Sequence, residues 1–107
     1  MKKIYLAGPY SHLNPDIRLI RFFNLNSIAG DLMTKGYLVF SPISHTHPIA
    51  EQCGLPMGFD FWDAFDRTFI EWCDELWVAM LDGWKESTGV SKEIIIATEM
   101  KKPVRYI

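Results

Sequence analysis

The chain has 107 residues, a formal net charge of −2 and 49% hydrophobic residues, enough apolar content for the core of one domain. No Lys/Arg cluster exceeds the pairs Lys2-Lys3 and Lys101-Lys102, so a nucleic-acid polymer is not the expected partner, whereas a single nucleotide is compatible. Cys53 and Cys73 lack metal-ligand spacing and are expected as reduced thiols; no apolar run reaches membrane-spanning length and no signal-peptide pattern opens the chain, so a cytoplasmic location is expected.

Lys3-Ile4-Tyr5-Leu6-Ala7 reads as a buried strand, closed by Gly8-Pro9. The turn through Tyr10, Ser11 and His12 leads to a strong helix start: Asn14 as cap, Pro15 at the first helical position and Asp16 at the positive end of the dipole. This helix should run to about Lys35 and stop at Gly36. Its main stripe is Phe22, Leu25, Ile28, Ala29, Leu32 and Met33. Leu19 and Phe23 lie off that stripe, and so wide an apolar arc suggests a second helix or another subunit against it.

Tyr37 to Phe40 is the next strand. From Ser41 to Phe59 the chain reads as a long loop rich in Pro, Gly and His, with at most a short helical turn near Pro48 to Gln52. A second amphipathic helix follows from Asp60 to Cys73. Asp63, Arg67, Glu71 and Asp74 form its solvated arc, and Trp62, Phe65, Phe69, Ile70 and Cys73 the opposite one. Asp66 falls among the apolar residues. Glu75 to Leu81 reads as the third strand, Gly89 to Met100 as the third helix, and Pro103 to Ile107 as the last strand. Strands alternating with helices predict a single-domain α/β fold, a parallel sheet of four to five strands with right-handed crossovers, flanked by helices. With strand order 2-1-3-4, the switch point brings the loops Gly8 to His12 and Asp82 to Thr88 together at the carboxyl ends of the strands.

That crevice is where chemistry is expected. Ser87 or Thr88 can cap the last helix, and the free backbone N–H groups just beyond favour an anion. Glu93, one turn on, shares a face with Gly89, Val90, Ile96, Ala97 and Met100, all expected inside. A carboxylate there must be paired, protonated or useful. The structural alternatives are a lysine partner for Glu93, a loop cap or Arg18/Arg21 partner for Asp66, and a plain helix cap for Ser87. Two such acids at one crevice suit cleavage at an acetal-like sugar carbon. His45 and His47 invite a metal, but no third ligand is suitably placed, so no metal is expected; a loop histidine that meets substrate fits better. Trp62, Trp72 and Trp77 read as core, leaving Tyr10 and Trp84 to stack on a base.

The opening Lys3-Ile4-Tyr5-Leu6-Ala7-Gly8-Pro9-Tyr10 together with Ser87-Thr88-Gly89-Val90-Ser91-Lys92-Glu93 resembles the nucleoside 2-deoxyribosyltransferase superfamily. Within it the chain is similar to the DUF1937-type branch, whose own signature Ser41-Pro42-Ile43-Ser44-His45-Thr46-His47-Pro48-Ile49-Ala50 resembles. The resemblance implies a flavodoxin-like fold and cleavage or transfer at an N-glycosidic bond, without cofactor. Glu93 then matches the nucleophile and Asp66 an aspartate assisting at sugar and base. Ser87 stands where related 2′-deoxynucleoside 5′-monophosphate N-glycosidases have Ser and transferases of free nucleosides tend to have Asp. The expected substrate is a nucleotide or nucleoside. Gly8, Pro9, Tyr10, Ser11, Ser87 and Gly89 would hold its 5′ end, and Tyr10, His45 or Trp84 would contact its base. A homo-oligomer is expected. Hydrolase and transferase remain equal readings, and the rival from another class is a module that senses a nucleotide without cleaving it.

Overall fold

The computed structural model describes residues 1–107. Four parallel strands, β1 (Lys3–Ala7), β2 (Leu38–Phe40), β3 (Glu75–Val78) and β4 (Val104–Tyr106), lie in the order β2-β1-β3-β4. Around them are α1 (Pro15–Thr34), α2 (Pro42–Cys53), α3 (Phe59–Trp72) and α4 (Thr88–Glu99). The register pairs Tyr5 with Phe40 on one side and with Leu76 on the other, and Leu76 with Val104. This is the expected α/β, flavodoxin-like arrangement, and no helix is long and apolar enough to cross a membrane.

The two central strands are buried on both faces, which is why they read as unbroken apolar runs. Alternation along β1 then divides the core. Ile4 and Leu6 join Leu25, Ala29, Leu32, Trp77 and Ala79 beneath α1. Tyr5 and Ala7 join Leu76, Val78 and residues of α3 and α4, among them Ile70, Val90, Ile96 and Ala97. Gly8 is fixed by the first layer: a Cβ there would lie 2.5 Å from Leu25 Cδ2, so α1 can approach the strand end only over glycine.

The first helix starts as expected, with Asn14 Oδ1 accepting from the Asp16 N–H (2.9 Å) and Pro15 in the first turn. Its stripe is narrower than expected. Leu25, Ala29 and Leu32 are buried, whereas Met33 is exposed, as are Leu19, Ile20 and Phe23.

The segment from Ser41 to Phe59 departs most from expectation. Instead of a loop with a short turn, residues Pro42–Cys53 form a full helix ended by Gly54 in the left-handed region (φ 63°). Pro42 sits in the first turn, where no N–H is needed. Pro48 lies inside the helix and forgoes one backbone bond, on a solvent-exposed side. Pro42, Thr46, His47 and Ala50 turn inward at helical spacing, a period that the prolines and histidines obscure.

Candidate active site

At the carboxyl ends of β1 and β3 lies a cavity of about 390 Å³. The turn after β1 contributes Gly8, Tyr10 and Ser11; α2 contributes Pro42, Ile43, Thr46 and Ala50. The segment entering α3 adds Pro56, Met57 and Gly58, and α3 itself adds Phe59, Trp62 and Asp66. Glu86, Ser87, Thr88, Gly89 and Glu93 complete the wall from the start of α4. Both misplaced acids therefore meet in one cavity, together with two of the turns expected to hold substrate.

Local sequence explains each placement. Ser87 caps α4, its Oγ accepting from the Val90 N–H at 3.2 Å, so that Thr88 and Gly89 present first-turn N–H groups without intrahelical partners. One turn on, Val90, Glu93, Ile96 and Ala97 are the buried face of the helix. On α3, Phe59, Trp62 and Asp66 recur at near-helical spacing and all face the cavity. Asp63 and Arg67 pair with each other on the opposite side (2.9 Å), so the arginine of α3 is engaged without Asp66. Arg18 and Arg21 do not reach Asp66 either. Arg18 donates to the His12 carbonyl and Arg21 to those of Ser11 (3.1 Å) and Asp82 (3.4 Å), which ties the first loop to the third.

Glu93 is 7% exposed and has no lysine partner. Its one side-chain bond is from the Tyr5 hydroxyl, which donates to Oε2 at 2.5 Å. Burial pushes the Glu93 carboxyl up to about 8, the charge of Asp66 adds to this, and the Tyr5 bond opposes it. Burial likewise raises Asp66 to about 6, with Tyr5 opposing and Asp63 adding. Tyr5 itself is held well above the ordinary phenol range by burial and by both acids, so it stays a donor. Between about pH 6 and 8 the pair holds one proton, which is the state that acid–base and nucleophilic work by two carboxyls needs.

Tyr5 is the site residue that sequence reasoning missed. A phenol inside a buried strand needs a partner for its hydroxyl, and that was the available signal. His47, read from the sequence only as a metal candidate, backs the wall residue Tyr10 and does not line the cavity itself. It is buried, shares a 2.5 Å hydrogen bond with Tyr10 Oη through Nδ1, and lies on Phe22. His45, the histidine expected to meet substrate, instead sits exposed between Phe40 and Phe65, off the cavity wall. Trp84 also lies off the wall, because its loop folds back onto β4 and places the indole 5.5 Å from the Tyr106 ring. Pro9 is buried behind the turn and does not line the cavity. No three His, Cys, Asp or Glu side chains converge as a metal site, His45 and His47 included.

No curated protein matches the chain. The family model for DUF1937, a domain of unknown function, matches residues 2–107, and the chain belongs to the DUF1937 family.

Proposed function

We propose that the protein cleaves the N-glycosidic bond of a nucleoside or nucleoside 5′-monophosphate, or transfers its sugar, through Glu93. The observation that carries this reading is Glu93 itself: a carboxylate on a cavity wall, buried, unpaired by any cation and held by one phenol. An acid buried for structure alone is expected to have a cationic partner. The resemblance to the nucleoside 2-deoxyribosyltransferase superfamily at both ends of the chain supports the same assignment.

In this mechanism Glu93 attacks C1′ from the face opposite the base and forms a glycosyl–enzyme ester. The Tyr5 hydroxyl steadies its second oxygen. At neutral pH the shared proton rests on Glu93; it passes to Asp66 as the nucleophile ionises, and Asp66 delivers it to the leaving base and then accepts one from the incoming acceptor. Water as acceptor makes a hydrolase; a second base makes a transferase. Trp62 and Phe59 offer faces to the base, and the first turn of α4 offers N–H groups to the sugar's 5′ end. The exposed Leu19, Ile20 and Phe23 on α1 support a homo-oligomer, which light scattering tests.

The test is release of free base from a panel of nucleosides and their monophosphates by the wild type and by Glu93→Ala. Base release is expected from the first and not the second; equal release by both discards the mechanism. One observation favours a second reading. A Glu93 carboxyl raised to about 8 is largely protonated at neutral pH and can hydrogen-bond a ribose hydroxyl in a module that only senses its ligand. Saturable binding across the panel with no base released selects that reading.

A further inference from the structure

The charge of the cavity wall narrows the substrate. None of its 18 lining residues is Lys, Arg or His, whereas three are acidic: Asp66, Glu86 and Glu93. None of these three takes part in a salt bridge. The nearby cations are engaged elsewhere. Arg18 and Arg21 hold backbone carbonyls of the first loop, with Arg18 Nε buried 3.8 Å from Glu51 and without a hydrogen bond. Lys85 lies over the Trp84 ring, and Lys92 lies over the ring of the wall residue Phe59 (4.2 Å), which leaves Trp62 as a wall aromatic ring without a cation over it. The rest of the wall near Asp66 is aromatic and apolar, with Trp62, Phe59 and Met57 foremost. Uncompensated carboxylates beside an aromatic face are the chemistry that binds an organic cation; against a phosphate they oppose the attraction of the first-turn N–H groups of α4, which a neutral 5′-hydroxyl can use without that repulsion.

Resting on the N-glycosidase reading, we infer that the preferred substrate is an unphosphorylated N-glycoside whose aromatic base carries a positive charge, a pyridinium or N-alkylated purinium nucleoside. The charged ring lies between Trp62 and Asp66, with Glu86 at the mouth of the cavity. The chemistry then simplifies. A Glu93 oxygen bonds to C1′ as the C1′–N bond breaks, and the bonding pair returns to the ring nitrogen, so the base leaves neutral without taking a proton. Water next attacks C1′, gives its proton to Asp66 and displaces the Glu93 carboxylate. The cation also favours the ionised nucleophile, whereas a 5′-phosphate adds to the repulsion that keeps Glu93 protonated.

The test has a binding arm and a turnover arm. In the first, the N-methylpyridinium-3-carboxamide cation is compared with neutral pyridine-3-carboxamide by calorimetry. The cation is expected to bind about tenfold tighter or more, the equivalent of one well-placed cation–aromatic contact with its carboxylate. That preference should shrink in Asp66→Asn and in Glu86→Gln; Glu86 is exposed, so the second variant keeps the test open even where the first folds poorly. In the second arm, N-ribosyl- and N-deoxyribosylpyridinium-3-carboxamide are assayed with and without a 5′-phosphate, beside neutral nucleosides, each rate divided by its uncatalysed rate. The unphosphorylated cations are expected to lead, with kcat/KM climbing through about pH 8 and levelling rather than turning down. Equal binding of the two pyridines, or faster turnover of the 5′-phosphates, overturns the inference. If instead base release depends on Glu93 but ignores substrate charge, the N-glycosidase reading survives alone. Charge-selective binding lost in Asp66→Asn, with no N-glycoside cleaved, leaves the cation site and removes the enzyme.

Discussion

Two buried glutamates at opposite ends of the sheet have opposite treatment. Glu75, at the amino end of β3, and Glu93, at the carboxyl-end cavity, are each 7% exposed. Glu75 accepts from Trp77 Nε1 (2.8 Å) and is ion-paired with Lys2 (2.7 Å) and Arg105 (2.9 Å). The bonds from Lys2 and Trp77 hold its carboxyl below the usual range. Glu93 has a phenol, a second acid and no cation, and its carboxyl is raised to about 8. The chain can neutralise a buried acid and does so where only structure is at stake. At the cavity it leaves Glu93 without a cation, which disfavours the ionised form in the folded chain; the proposed nucleophilic role accounts for that cost.

Substitution of the two acids sharpens that contrast most. Glu93→Gln is expected to reduce base release by about 10³-fold or more, whereas Glu75→Gln leaves turnover unchanged and lowers stability by about 1–2 kcal/mol. Turnover assays and denaturant unfolding of both variants separate the roles. A Glu75 variant as inactive as the Glu93 one breaks the comparison.

Asp66→Asn should cost about 10²-fold in kcat/KM for a neutral nucleoside, the usual scale for loss of an acid–base group. In the wild type the same substrate should give a bell-shaped profile. Below about pH 6 both carboxyls are protonated and the nucleophile is lost; above about pH 8 the shared proton is lost. Loss of the high-pH limb is expected in the Asp66 variant. Tyr5→Phe has a smaller effect, about tenfold, and moves both limbs upward, because the phenol favours the ionised form of Glu93 and of Asp66.

Stability follows the opposite order from activity. The folded-state Glu93 carboxyl lies above its ordinary 4.5, so the native protein binds a proton that the unfolded chain releases. Stability therefore declines as pH rises from about 4.5 to 8 and stays reduced above it. Glu93→Gln removes that loss, and its Tm at pH 9 should exceed the wild type's by about 5 °C, with the two converging near pH 4. Glu75→Gln should show the reverse: its deficit is present at neutral pH and fades in acid, as the wild-type carboxyl protonates. Smallest in functional reach is Gly8→Ala, where contact with Leu25 is expected to destabilise by about 1–3 kcal/mol.

Much of the fold was legible because its signals are periodic. Ile4 to Ala7 and Leu76 to Val78 are continuous apolar runs, and Val90, Ile96 and Ala97 repeat at helical spacing around Glu93. Those runs located the strands, and the order 2-1-3-4, taken from the alternation of strands and helices, placed the crevice. The helix Pro42–Cys53 was not legible, since two prolines carry turn signals that the tertiary contacts of His47 with Tyr10 and Phe22 override. Within the site, the two acids stood out because charge on an apolar face is improbable. Tyr5 did not, because a phenol in a strand resembles any other large core residue until its partner is known. Side-chain direction in loops was also beyond the sequence. His45 and Trp84 lie in suitable segments, but only the packing of Phe65 and Tyr106 shows where their rings go.

The central claim is that Glu93 becomes covalently attached to a sugar carbon. The direct measurement is to mix the protein with an N-glycoside it cleaves, quench in acid within the first turnover, and map the added mass by peptide mass spectrometry. A glycosyl adduct is expected on the peptide containing Glu93, absent in Glu93→Gln. Base release with no adduct on that peptide, undiminished in the variant, would contradict it.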